Sequence, residues 1–126
     1  MIEIVTLLIV LILVGLSIFQ VALICGAPLG NYAWGGQHAI LPASLRIGSV
    51  VSIFIYAGIV AFVMSKAGLS DVIGSPSVAS IGTWIIAAYF TLGILLNGIS
   101  RSTRERNLMT PIVTILAGLT FVVALS

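Results

Sequence analysis

The chain has 126 residues, of which 60% are hydrophobic and 6% charged, with a mean hydropathy of +1.31 and a formal net charge of +2. Soluble domains carry roughly 25% charged residues, and no soluble fold of this size hides so much apolar surface, so lipid is the expected solvent for most side chains. The same figures leave no room for a separate soluble domain, and so small and local an excess of positive charge argues against nucleic acid as a partner.

Residues 4–25 form the first expected crossing. Only Thr6, Ser17 and Gln20 interrupt the apolar run, which at 1.5 Å per residue covers roughly 30 Å of hydrocarbon. Gly26 suits a C-terminal cap and Pro28 forbids continuation. Met1-Ile2-Glu3 lacks the basic region of a signal peptide and the run is too long for one, so this helix is expected to stay in the mature protein. Ala22-Leu-Ile-Cys25 loosely resembles a lipoprotein cleavage site, but Ile24 is too bulky for it.

Residues 26–41 carry glycines at 26, 30, 35 and 36, with Tyr32 and Trp34 of the type that sits at headgroup level. The segment reads as a loop lying on or re-entering the interface, long enough to suggest a role beyond connection. The second crossing spans 42–66, with Pro42 in its first turn. Gly48, Ser52 and Tyr56 recur every four residues, which predicts a small, polar face turned toward protein. Ser75-Pro76 reads as an N-cap and first helical residue. It opens a third crossing over 76–100 that carries Trp84, Tyr89 and Asn97. A basic turn, 101–107, then holds Arg101, Arg104 and Arg106, three of the five cations. The fourth crossing covers 108–125, with Thr110 and Pro111 in its opening turn. The expectation is an all-α, polytopic transmembrane four-helix bundle, a single domain over 1–126.

With four crossings, loop 26–41 and turn 101–107 share one membrane face, while both termini and the turn near 68–75 share the other. The first face has Arg46, Arg101, Arg104 and Arg106; the second has Lys66 alone. The positive-inside rule then places the two loops in the cytoplasm and both termini outside.

The cytoplasmic end is where chemistry-bearing residues collect. Arginine forks bind phosphate in a bidentate way and glycine amides add donors. Arg46, Arg101, Arg104, Arg106, His38 and Asn97 are therefore candidates for an anionic headgroup or solute, with Asn31, Trp34, Gly35, Gly36 and Gln37 as loop contacts. The same arginines would also serve as plain anchors of helix ends. If the third helix ran on through the turn, Arg101 and Glu105 would pair at i, i+4. His38 is the sole histidine and Cys25 the sole cysteine, which excludes a multi-histidine or thiolate metal cluster and an internal disulfide. No metal, cofactor or catalytic residue is assigned. His38 with Glu105 or Cys25 remains a conceivable general-base unit. The acidic residues Glu3, Asp71 and Glu105 all fall near helix ends, so the carboxylate relay of proton-coupled transporters is not expected. The polar residues Gln20, Tyr56, Tyr89 and Asn97 are expected to bond between helices or to line a solute path.

The segments Gly26-Ala-Pro-Leu-Gly30, Trp34-Gly-Gly-Gln-His38, Leu45-Arg46-Ile-Gly48-Ser49, Ser100-Arg101-Ser102 and Met109-Thr-Pro111 resemble those of a family of small bacterial four-helix integral membrane proteins. That resemblance implies the fold and a bacterial cytoplasmic membrane, and brings no activity with it. Three functions compete: a non-catalytic module that binds anionic lipid or a partner protein through the arginine-rich end, a solute transporter or channel built between protomers of a homodimer, and an intramembrane enzyme using His38.

Overall fold

The computed structural model describes all 126 residues. Four helices, α1 (Ile2–Ile24), α2 (Ala43–Lys66), α3 (Pro76–Gly98) and α4 (Thr103–Leu125), account for nearly all the regular structure, and there is no strand. Each is long and apolar enough to cross a membrane. Two single-turn 3-10 helices, Gly30–Tyr32 and Trp34–Gly36, lie in the connection between α1 and α2.

The sequence stops these helices by recognisable chemistry. At the end of α1, Gly26 takes a positive φ of 91°, its N–H donates to the Leu23 carbonyl, and Ala27 N–H donates to Ala22. Gly68 repeats that geometry at the end of α2, with Leu69 N–H reaching the Met64 carbonyl at 2.9 Å. Both are glycine caps that satisfy carbonyls a helix end leaves open. Ser75 caps α3 by accepting from Val78 N–H, with Pro76 in the first turn.

The start of α4 corrects the sequence reading. Residues 103–107 are not a turn but the first turn of the helix, because Ser102 accepts from the Glu105 N–H at 3.2 Å as an N-cap. The third helix ends at Gly98, two residues early, so Arg101 and Glu105 do not share a helix. The connection is only Ile99 to Ser102, and Pro111 lies well inside α4 rather than in its opening turn.

The helices form a ring in which α1 packs on α2 and α4, and α3 packs on the same two. Only 24 of the 126 residues are buried. The outward faces, for example Leu7, Leu11 and Ile18 of α1 and Val51 and Phe54 of α2, are therefore the lipid-facing surface of a thin bundle. The main core lies in the half nearer the termini, where Val5, Ile9 and Leu13 meet Ile59, Val63, Ile86, Leu116 and Val123. In that half a side-chain carbon on Gly82 would run into the Phe62 ring, so the glycine is what lets α2 and α3 close up. A smaller cluster, Leu23, Ala33 and Leu41 with Phe19 and Leu45, fastens the long connection to the other end of the bundle.

Candidate functional site

The two connections predicted to share a face do meet. Ser102, while capping α4, donates its hydroxyl to the Asn31 carbonyl. Gly35 N–H donates to a Glu105 carboxylate oxygen at 3.2 Å. The close approach explains two glycines. A Cβ on Gly36 would collide with the Ser102 side chain, and one on Gly30 would collide with the His38 carbonyl.

Trp34, Gly35 and Gly36 all have positive φ, at 52°, 77° and 73°. For glycine that conformation is cheap; for tryptophan it is strained. The strain, of order 1–3 kcal/mol, is held by what the indole gains. Its ring lies over Gly48, where a Cβ would come within 2.8 Å of it, and its Nε1–H donates to the fully buried Ser49 hydroxyl at 3.2 Å. The left-handed run therefore drives Trp34 down onto α2 as a wedge between the loop and the bundle. The small face predicted on α2 points toward protein, as expected, but at Gly48 it receives a loop residue, and at Tyr56 it faces Gln20.

Two recesses flank this wedge. One is an open groove lined by Asn31, Gly35, Gly36 and Gln37 from the loop and by Arg101, Ser102, Thr103 and Arg104 from the start of α4. It contains no apolar and no acidic residue. Neither guanidinium has an ion-pair partner, since the sole ion pair in the molecule joins the N-terminal ammonium to Glu3. Ordered backbone N–H groups at a helix start add positive potential at the same place.

The other recess is a half-open cavity of about 190 Å³ in the loop half of the bundle, lined by residues of all four helices and by Tyr32, Ala33 and Trp34 of the loop. Its polar groups are Gln20, Tyr56, Tyr89, Asn97 and Glu105. Gln20 Nε2 donates weakly to the Tyr56 hydroxyl at 3.4 Å, while its Oε1 is buried without a donor. Asn97 turns its amide back to the Gly93 carbonyl at 2.8 Å. Glu105 is only 7% exposed. The sequence pattern placed this carboxylate in a polar turn; the N-cap at Ser102 instead swings it inward, where it takes the Gly35 N–H.

The predicted site residues thus divide. Arg101, Arg104, Asn31, Gly35, Gly36 and Gln37 line the groove. Asn97 and Trp34 line the cavity. Arg46 belongs to neither: its Nε donates to the Leu41 carbonyl at 2.8 Å and its guanidinium reaches the Ile24 carbonyl, so it pins the loop's end to the end of α1 and complements that helix dipole. Arg106 is exposed and donates to the Ser100 carbonyl. His38 is exposed at the loop surface and makes no ion pair with Glu105, and Cys25 is also exposed. Glu105 was missed as a lining residue, although Ser102-Thr-Arg-Glu105 has the spacing of a helix-capping box and could have revealed the helix start.

Comparison with known protein families, characterised proteins and solved structures finds no match to this chain.

Proposed function

We propose that this multi-pass membrane protein is a non-catalytic module that binds a phosphate-bearing lipid headgroup in the groove between the loop and the start of α4. The observation that carries this reading is the pairing of Arg101 and Arg104, both free of carboxylate partners, with the side-chain amides of Asn31 and Gln37 in a recess that holds no acidic side chain. Each arginine near an anionic membrane surface contributes about 1 kcal/mol, and a shaped groove adds directed hydrogen bonds to phosphate oxygens.

We place the protein in a bacterial cytoplasmic membrane, as the resemblance of its loop motifs implies, and the charge distribution favours the groove on the cytoplasmic side. Arg46, Arg101, Arg104 and Arg106 lie at the groove end, against Lys66 at the other. Cys25, exposed at the groove end and unique, tests the orientation directly. A membrane-impermeant maleimide should label it in lysed cells and leave it unlabelled in intact ones.

The binding test uses purified protein in detergent, titrated with phosphatidylglycerol and with phosphatidylcholine and read by native mass spectrometry. Phosphatidylglycerol should bind preferentially, and Arg101→Glu with Arg104→Glu should weaken it by at least about tenfold. Undiminished preference in the double variant would sink the reading.

The cavity favours a second reading, passage of a small solute. Gln20, Tyr56 and Tyr89 do line one recess, but toward the termini lies the packed core of Ile9, Leu13, Ile59 and Val63. A path within one chain would have to open that core, and flux into proteoliposomes is the measurement that decides it.

A further inference from the structure

The cavity holds a combination that the groove lacks, and that neither the anion-binding reading nor the needs of packing explain. Glu105 is a buried carboxyl group with no cation in reach, in a cavity that contains no lysine, arginine or histidine. Burying an acidic group is costly; the positive end of α4 offsets part of that cost, but Gly35 N–H occupies only one of the Glu105 oxygens. Gln20 supplies an independent sign: it is 7% exposed and its Oε1 has no donor, whereas buried polar atoms are nearly always partnered. Both groups ask for a hydrogen-bond donor, and the carboxylate favours one that carries positive charge.

The apolar walls point the same way. Phe19, Tyr32, Trp34, Tyr56, Tyr89 and Phe90 bound the space, and aromatic faces attract cations, indole most strongly. At about 190 Å³ the space is below the roughly 300 Å³ at which pockets for drug-sized ligands begin, so it takes a small group.

We infer that the cavity beneath Trp34 is a binding site for a small protonated amine, whose ammonium N–H groups bond to Glu105 and Gln20 Oε1 against the aromatic walls. The site is distinct from the arginine groove, since the two recesses share no lining residue.

The experiment uses Trp84→Phe protein in detergent, so that Trp34 is the single tryptophan and can be excited selectively over the tyrosines; Trp84 packs on Phe121 and does not line the cavity. n-Butylammonium chloride is titrated against sodium chloride at equal ionic strength, and n-butanol serves as the uncharged probe of the same length. A saturable change in Trp34 emission with butylammonium and none with butanol over the same range is the expected result. Glu105→Gln keeps an acceptor for Gly35 N–H and hence the fold, yet should weaken butylammonium at least tenfold, and Gln20→Leu should weaken it less. Arg101→Glu with Arg104→Glu should leave it in place, which separates this site from the groove. Equal binding of butanol, unaltered affinity in a folded Glu105→Gln protein, or no saturable response at all would each overturn the assignment.

Discussion

The two halves of the bundle use buried polar side chains in opposite ways. In the half near the termini, Thr6, Thr83 and Thr120 are fully buried, and each donates to the carbonyl four residues back on its own helix, at 2.7–2.8 Å. None bonds another helix. In the loop half, Trp34 bonds Ser49, Gln20 bonds Tyr56, Gly35 bonds Glu105, and Ser102 bonds Asn31. Apart from Lys66 to Ser126 at the far surface, the side-chain hydrogen bonds between sequence-distant segments all lie at the loop end. One half is held almost wholly by apolar shape, while the other is organised by directed bonds around two recesses. In lipid, where apolar contact between helices gains little over contact with acyl chains, that division separates a packed anchor from an end organised around recesses.

The largest effect expected from attacking this division is at Gly30. Its Cβ would overlap the His38 backbone carbonyl, and backbone, unlike a side-chain tip, cannot swing aside. Gly30→Ala should cost at or above the upper end of about 1–3 kcal/mol. Hydrogen exchange should show the loss confined to residues 26–41 and the first turn of α4, with amides around Ile9 and Val63 still protected. Uniform loss of protection would mean that the halves are one cooperative unit.

Gly82→Ala attacks the other half. The new methyl meets the Phe62 ring, which is a side chain and can move, so the cost should stay within about 1–3 kcal/mol and be relieved by Phe62→Leu. Thermal melting in detergent checks both changes, and groove and cavity binding should survive them. Ser102→Ala comes next, losing about 0.5–2 kcal/mol as an N-cap together with its bond to Asn31, and it should loosen the groove.

Much of the anchor half is written in composition, because four apolar runs of bilayer length need no further information to become spans. The meeting of the two connections was also legible, since it follows from parity once four crossings are counted. The loop half was legible only as a collection of residue types. Trp34 carries the signature of a headgroup residue, and nothing in periodicity says that a left-handed run through Gly35 and Gly36 will turn it into the bundle. Arg46 reads as one more phosphate ligand, yet its neighbours are the carbonyls of Leu41 and Ile24. Glu105 sits in a charge-rich run that resembles a solvated turn, and the single local clue was Ser102 three residues before it. What was lost in each case is the direction of a side chain, which depends on backbone dihedrals and on partners far along the chain.

The smallest effect expected is also the sharpest test of the comparison, because it sets two equally buried hydroxyls against each other. Ser49 and Thr83 are both 0% exposed. Thr83→Val removes a donor whose acceptor, the Ala79 carbonyl, still receives a helical N–H, and it preserves shape; the change in stability should be below about 0.5 kcal/mol, in the range of substitutions that leave no group orphaned. Ser49→Ala instead strands the Trp34 indole N–H, and an unsatisfied buried donor costs about 1–3 kcal/mol. The partial exposure of Trp34, at 40%, moderates that toward the lower figure. Ser49→Ala should therefore melt earlier than Thr83→Val and redden or broaden Trp34 emission in the Trp84→Phe background, while Thr83→Val leaves the emission untouched. If the two variants behaved alike, Trp34 would not be held by its bond to α2, and the wedge that roofs the cavity would have to be explained by ring packing on Gly48 alone.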